Sequence, residues 1–171
     1  MPEFIPMISE TQIQEKVREI GQQISEDYKN LDLVVVGVLK GSFVFLADLV
    51  RQITIDHEVD FIGASSYDGT SSSGQIKFTK QPDLTLEGRD VLLVEDIVDT
   101  GQTLNKIVEF AGLLNARSVK ICTLIDKKER RQRSVDVAYS CFSLEKGFIV
   151  GYGLDYNEKY RNLPAIFDLK L

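Results

Sequence analysis

Short apolar runs alternate with amphipathic stretches along the chain. The continuous, β-branched runs at 32–39 and 91–94 are typical of strands covered on both faces. Before the first run, residues 9–29 carry apolar side chains at helical spacing, and Ser9 with Gln12 has the pattern of a capping box. The chain therefore begins with a predicted amphipathic helix followed by a buried strand.

The remaining pattern predicts further alternating strands and helices. Helices are predicted from near Ser42 and over 100–114, and strands over 55–67, 76–80, 90–96, 118–126, 135–143 and 147–155, with 76–80 antiparallel to the strand before it. This order predicts an α/β fold with a mostly parallel twisted sheet flanked by helices on both faces. In such sheets ligands bind beyond the carboxyl ends of the strands.

The stretch VLLVEDIVDTGQTL, residues 91–104, places three carboxylates at the end of a buried strand. Gly101 follows them and opens a predicted helix. Backbone N–H groups of such a loop, together with the helix N-terminus, bind anions of phosphate size, and Thr100 and Thr103 add hydroxyl donors. The Walker A pattern GxxxxGK[ST] is absent, so this is a different phosphate loop.

Glu95 and Asp96 need a partner other than a bare phosphate, which they would repel. Vicinal ribose hydroxyls, or Mg²⁺ carried by a pyrophosphate, would suit them. The stretch therefore indicates a site for a phosphorylated ribose. The plainer alternative is that Asp99 caps the helix and that Glu95 and Asp96 are solvated acids at a strand end.

The composition indicates how large the domain is and which classes of ligand it can bind. The 171 residues are 43% hydrophobic, which predicts one domain with an ordinary core. The net charge of −6 disfavours a nucleic-acid binder, which needs a broad basic surface. The basic run KKERRQR, residues 127–133, is interpreted as a solvated loop or a subunit contact, except for Lys127 at the strand end.

Nothing in the sequence predicts a membrane or export signal. No apolar stretch approaches the roughly 20 residues that span a bilayer, and the first ten residues lack the pattern of a signal peptide. Cys122 and Cys141 lie in apolar segments without CxxC spacing. They are predicted to be buried free thiols in a reducing, cytoplasmic compartment rather than zinc ligands.

The stretch 91–104 resembles the phosphoribosyl-pyrophosphate (PRPP) motif of the type I phosphoribosyltransferases. That motif is a hydrophobic run, two acids and a D-T/S-G-x-T loop. Segments 36–49, 57–67, 122–131 and 148–164 resemble the hypoxanthine (hypoxanthine-guanine) phosphoribosyltransferases in particular. The resemblance extends in order from Ile8 to Pro164. It implies transfer of 5-phosphoribosyl from PRPP to N9 of a 6-oxopurine, with release of pyrophosphate.

The resemblance implies roles for the motif itself. Glu95 and Asp96 would face the ribose hydroxyls and the Mg²⁺ cofactor, and Asp99 would be the general base at N7 of the purine. The 5′-phosphate would be held, mainly through backbone amides, by Asp99, Thr100, Gly101, Gln102 and Thr103.

Other segments receive roles in the same way. Lys40, Gly41 and Arg161 would bind pyrophosphate, and the Leu39–Lys40 peptide is expected to be cis in at least some states. Lys127 would donate to the purine 6-oxo group. The base would lie between Phe148, whose ring stacks on it, and the backbone of Ile149, with Asp155 binding Mg²⁺ nearby.

The resemblance also bears on organisation. A single domain over 1–171 is expected, with a core at about 8–140 and a hood over the base from about 141–171 and the N-terminus. Ser66 and Tyr67 would ride on a mobile loop, and His57 is interpreted as structural. A homodimer or homotetramer is expected. The alternative function is a regulatory protein that keeps the PRPP motif and binds RNA or nucleotide without catalysis.

Overall fold

The structure is a computed structural model that describes residues 2–66 and 76–171. Three helices lie in the described part of the chain: α1 (Glu10–Asp27), α2 (Phe43–Val50) and α3 (Gln102–Leu113). The strands are β1 (Glu3–Ile8), β2 (Leu33–Leu39), β3 (His57–Ser66), β4 (Ile76–Lys80), β5 (Asp90–Val98), β6 (Ser118–Lys127), β7 (Val137–Leu144), β8 (Ile149–Val150) and β9 (Ile166–Lys170).

Six strands form the main sheet in the order β4-β3-β2-β5-β6-β7. All neighbours are parallel except β3 and β4, which are antiparallel as predicted. The carboxyl ends of β2, β3, β5 and β6 therefore meet at one edge of the sheet. That edge is where the sequence places most of the candidate site residues.

Both faces of the sheet are buried, because α1 and α2 cover one face and α3 covers the other. Along β2 the side chains alternate between these two cores. Val35 packs with α1 and α2, whereas Val34 and Val36 pack with α3. The predicted α/β architecture with helices on both faces is confirmed.

A second, antiparallel sheet joins the two ends of the chain in the order β1-β9-β8. Phe4 of β1 makes edge-to-face contacts with Tyr160 and Phe167, with ring centroids 5.1 and 6.0 Å apart. The predicted strand over 147–155 is wrong beyond Val150. Gly151, Tyr152 and Gly153 all have positive φ, so the chain turns there instead of continuing extended.

Local details agree with the sequence. The capping box at Ser9 and Gln12 has both of its hydrogen bonds. Cys122 and Cys141 are buried free thiols, as predicted, and burial raises the pKa of Cys141 to about 12. Among the described helices, none has the length and hydropathy needed to cross a bilayer.

Candidate active site

The loop after β5 forms a small cavity at the carboxyl edge of the sheet. Gly101, with φ of 79°, is the N-cap residue of α3 and turns the chain into the helix. A cavity of about 150 Å³ opens beside it. Its lining includes five of the predicted residues, Glu95, Asp99, Thr100, Gly101 and Thr103, together with the apolar side chains of Ile97, Val98 and Leu104. A helix N-terminus and a glycine turn suit such a cavity to an anion.

Gln102 lies beside this cavity without lining it. Its backbone N–H points to the Thr100 hydroxyl at 3.4 Å, and its side-chain amide donates to the side chain of Gln132. The backbone of Gln132 donates in turn to the Thr100 carbonyl at 2.9 Å. The side chain of Gln102 therefore supports the loop from outside.

Asp99 is not the helix cap. Gly101, which has no side chain, occupies the N-cap position, and the side chain that faces the first N–H of the helix is that of Thr100 rather than Asp99. Asp99 Oδ2 lies 3.5 Å from Arg130 Nη1, while Oδ1 is buried and has no hydrogen-bond partner among residues 2–66 and 76–171. An unpartnered buried carboxylate oxygen is costly, so this atom is suited to a donor brought by a ligand.

Glu95 and Asp96 are adjacent acids, and the charge of Asp96 affects the pKa of Glu95. Glu95 Oε1 accepts from the Asp96 backbone N–H at 3.0 Å, and Asp96 Oδ1 accepts from the Ile97 N–H at 2.8 Å. Burial raises the pKa of the Glu95 carboxyl well above its ordinary range, and the Asp96 carboxylate adds to the shift. Burial also raises the pKa of Asp96, against the opposing effect of its hydrogen bonds and of Arg161. Such a pair favours a cation or a hydroxyl donor beside it.

Gly41 lies in close contact with Asp96 at the end of β5 and with Gly153 in the loop after β8. A Cβ built on Gly41 would lie 1.8 Å from Asp96 Oδ2, and a Cβ built on Gly153 would lie 2.2 Å from the Gly41 carbonyl oxygen. At Gly153 the close atom is backbone and φ is 98°, so only glycine fits, whereas a side chain on Gly41 would require the Asp96 carboxylate to move. The two glycines bring the loop after β2 into contact with the end of β5 and with the loop after β8. The Leu39–Lys40 peptide in this loop is cis, as expected.

Two cations of the site share one carboxylate. Glu158 accepts from Lys40 Nζ at 3.0 Å through Oε2, and its Oε1 lies 3.4 Å from Arg161 Nη2. Arg161 also pairs with Asp155 at 3.2 Å and donates to the Gly153 carbonyl at 2.7 Å. Because Lys40 and Arg161 neighbour Glu158, its pKa is lowered, first by the hydrogen bond from Lys40. Lys40, Asp155 and Arg161 are thus brought together.

The remaining predicted residues lie at the end of β6 and at the start of β8. Lys127 ends β6 and is only 8% exposed, with Nζ 3.5 Å from Glu129 Oε2. The ring of Phe148 is 48% exposed and contacts Tyr156 edge-on at 5.4 Å. Ile149 is buried and pairs with Asp168 of β9. Phe148 is therefore an available aromatic face rather than a core residue.

Arg131 makes more contacts with the protein than the sequence indicates. Its guanidinium donates to the backbone oxygens of Val98, Asp99 and Lys127 and to the Asp126 carboxylate. The interpretation of Arg131 as a solvated loop residue is wrong.

Two further predictions concern the segment at Ser66 and Tyr67 and the single histidine, His57. Tyr67 is outside the described residues, and Ser66 ends β3 at the carboxyl edge, so the mobile-loop assignment stays a prediction. His57 begins β3 at the opposite edge, where its Nδ1 lies 2.8 Å from the Ile55 carbonyl. That position agrees with a structural role.

Sequence reasoning missed Glu129, Glu158 and Gly153. Glu158 is three residues from both Asp155 and Arg161, but this spacing predicts nothing outside a helix. Gly153 gave a weak signal, since two glycines in GYG interrupt an otherwise apolar strand pattern.

Comparison with known proteins identifies the family to which the chain belongs. The family model described as "Phosphoribosyl transferase domain" matches residues 9–157. A hypoxanthine phosphoribosyltransferase of Escherichia coli K12 is 48% identical over 163 residues, covering 94% of this chain and 92% of the relative. A hypoxanthine-guanine phosphoribosyltransferase of Streptococcus pyogenes is 44% identical and covers 96% of this chain and 92% of its own. A crystal structure of a Bacillus anthracis hypoxanthine-guanine phosphoribosyltransferase superposes with a TM-score of 0.93 at 44% identity, covering 100% of both chains.

Proposed function

Because the chain belongs to the phosphoribosyltransferase family and, within it, to the hypoxanthine phosphoribosyltransferases, we propose that it salvages 6-oxopurines. It transfers 5-phosphoribosyl from PRPP to N9 of hypoxanthine, and of guanine, giving the nucleotide and pyrophosphate. The observation that carries this proposal is the buried, unpartnered Oδ1 of Asp99 beside the anion cavity after β5.

The PRPP side is assigned to the β5 loop and the cation cluster. The 5′-phosphate binds in the cavity formed by residues 99–103, and Glu95 with Asp96 accepts from the ribose hydroxyls. Lys40, Gly41 and Arg161 hold the departing pyrophosphate. The contacts of Glu158 support this assignment. Its carboxylate lies within reach of both Lys40 and Arg161, so an anionic group of the ligand could contact the same two cations.

Mg²⁺ fits this donor set. Mg²⁺ is usually bound by one or two carboxylates together with substrate oxygens and water. The Glu95–Asp96 pair would hold an ion on the ribose side, and Asp155, which pairs with Arg161, would hold one near the pyrophosphate, since the described residues bring no three such acids into one cluster. When bound, it would neutralise charge on the pyrophosphate.

The purine side is assigned to β6 and the segment before β8. The exposed ring of Phe148 stacks on the base, and the backbone of Ile149 contacts its edge. Lys127 donates to the 6-oxo oxygen. Asp99 takes the proton from N7 as the bond between C1′ and pyrophosphate breaks and the bond from N9 to C1′ forms. We further propose that β1, β8 and β9 form the hood over this base.

Pyrophosphate release with hypoxanthine, guanine, xanthine and adenine tests the reaction. Adenine presents an amino group where Lys127 needs an acceptor, so kcat/KM for adenine should be lower by a factor of about 10⁴. Release with hypoxanthine supports catalysis. No release with any base would instead support the alternative of a non-catalytic regulator that binds nucleotide or RNA.

We propose a homodimer or homotetramer in the cytoplasm. The family resemblance supports the self-association, and the two free buried thiols support a reducing compartment. Sedimentation velocity measures the first, and a single monomer-sized species at micromolar concentration would contradict it.

A further inference from the structure

Arg131 lies where the pairing between β5 and β6 ends. The last paired residues of this ladder are Val98 and Asp126. The next residues, Asp99 and Lys127, are not paired with each other, although Lys127 still pairs with Leu144 of β7. These are the two residues assigned to the purine, so the pairing between β5 and β6 does not fix their mutual position.

The guanidinium of Arg131 spans the gap. Its Nε donates to the Asp99 carbonyl at 2.8 Å, and its Nη2 lies 3.1 Å from the Val98 carbonyl and 3.3 Å from the Lys127 carbonyl. The same Nη2 pairs with the Asp126 carboxylate. Nη2 carries two protons for three acceptors, so the 3.3 Å contact is shared and weaker. One rigid plane thus joins the ends of both strands.

The proposed reaction requires Asp99 and Lys127 to be held at a fixed separation. N7 and the 6-oxo oxygen are neighbours on one edge of a 6-oxopurine. The carboxylate of Asp99 and the ammonium of Lys127 must therefore be held at a separation that matches that edge. An error of about 1 Å in such a placement costs about 10²-fold in rate.

We propose that Arg131 is a positioning residue, which sets the separation of Asp99 and Lys127 so that both engage one purine. This inference rests on the proposed function. Arg131 does not itself contact the base, because its bonded nitrogens point to protein oxygens and its side chain is only 19% exposed. Its neighbour Arg130, which is 67% exposed, has no comparable set of contacts.

Steady-state kinetics of Arg131→Met, Arg131→Lys and Arg133→Met test the role. Arg133 has an exposed side chain without a hydrogen bond or ion pair in the described part of the chain, so Arg133→Met is the matched control. For Arg131→Met, kcat/KM for hypoxanthine should fall about 10²-fold. The KM for PRPP should rise by a smaller factor than kcat/KM for hypoxanthine falls, since Arg131 contacts the carbonyls of Val98 and Asp99 in the cavity wall but does not itself line the cavity. Arg131→Lys keeps the positive charge but lacks the planar guanidinium. Its kcat/KM for hypoxanthine should therefore lie between those of Arg131→Met and the wild type.

Coupling to Lys127 distinguishes positioning from general support. In a Lys127→Met background, Arg131→Met should cost several-fold less than in the wild type, because the ammonium it positions is gone. If Arg131→Met lowered kcat/KM for hypoxanthine by the same factor in both backgrounds, the inference would be overturned. A rise in the KM for PRPP as large as the fall in kcat/KM would overturn it too. A normal kcat/KM for Arg131→Lys and Arg131→Met would overturn it as well. If Arg131→Met does not fold, Arg131→Lys carries the same comparison. An inactive wild type would overturn the proposed function, and the inference with it.

Discussion

Three carboxylates within five residues have three different environments. Glu95 lines the phosphate cavity, Asp96 contacts Gly41, and one buried oxygen of Asp99 has no hydrogen-bond partner in the described part of the chain. Since a strand end and a turn present successive side chains in different directions, neighbouring acids need not share a function. Asp99 and Glu95 should therefore respond differently to substitution.

Asp99→Asn should lower kcat by about 10²–10⁴-fold, because the amide keeps the shape of the side chain but cannot accept the N7 proton. The melting temperature should stay close to that of the wild type, since Asp99 does not cap α3. Single-turnover kinetics and thermal unfolding measure the two quantities. The matched control is Asp136→Asn, at an exposed position. A kcat within threefold of the wild type would remove Asp99 from proton transfer.

Glu95 should make the ligand-free protein less stable as pH rises. Its pKa in the folded state is above the ordinary value of 4.5, so between 4.5 and the raised value the folded protein binds more protons than the unfolded one. The free energy of unfolding therefore falls as pH rises through that window, and the loss is complete above it. Glu95→Gln removes this contribution and should raise the melting temperature at pH 8 more than at pH 4.

Thermal unfolding across pH 4–8 measures the effect, with exposed Glu87→Gln as the control. Mg²⁺ supplies a second comparison. If the pair takes part in holding the ion, Mg²⁺ with pyrophosphate should stabilise the wild type more than Glu95→Gln. An identical pH dependence for wild type and Glu95→Gln would contradict the raised pKa.

At the scale of elements, the site depends on close contact between loops that follow different strands. Gly153 makes one such contact, because its φ of 98° and the nearby Gly41 carbonyl both exclude a side chain. Gly153→Ala should destabilise the fold by about 2 kcal/mol or more. It should also weaken PRPP binding, since the displaced loop carries Arg161.

Gly112→Ala is the matched control. Gly112 lies in α3 with no atom within 4 Å of an added Cβ, so alanine there should stabilise the protein by about 0.5–1 kcal/mol. Denaturant unfolding measures both variants. Equal effects at the two positions would contradict the close packing of Gly41 and Gly153.

The elements also show how far the sequence could predict the fold. The buried strands β2, β5 and β6 and the helices α1 and α3 have strong local patterns and were predicted. The pairing of β1 with β9 was not, because it joins residues such as Glu3 and Lys170 from opposite ends of the chain. The contacts of Glu158 and Arg131 could not be predicted either. They depend on where loops cross in space, which no periodicity records.

At the scale of the whole molecule, pyrophosphate should connect parts of the chain that are distant in sequence. Lys40 follows β2, and Arg161 lies between β8 and β9, yet both contact Glu158. An anion that replaces the Glu158 carboxylate would bind only the folded arrangement. At a hundredfold excess over its Kd, such a ligand adds about 2.7 kcal/mol to the free energy of unfolding. For a chain of this size that is a rise of about 5–10 °C in melting temperature.

Pyrophosphate with Mg²⁺ should therefore raise the melting temperature of the wild type by about that amount, without any purine present. Arg161→Met should lose most of the shift, whereas Lys159→Met should keep it, because the exposed Lys159 belongs to the same loop without an ion pair among the described residues. Glu158→Gln should show the same shift at several-fold lower pyrophosphate, since the competing carboxylate is gone. Differential scanning fluorimetry over a pyrophosphate titration measures all four proteins. An equal shift in the wild type and Arg161→Met would place the pyrophosphate elsewhere, and Glu158 would then be only a surface ion-pair partner.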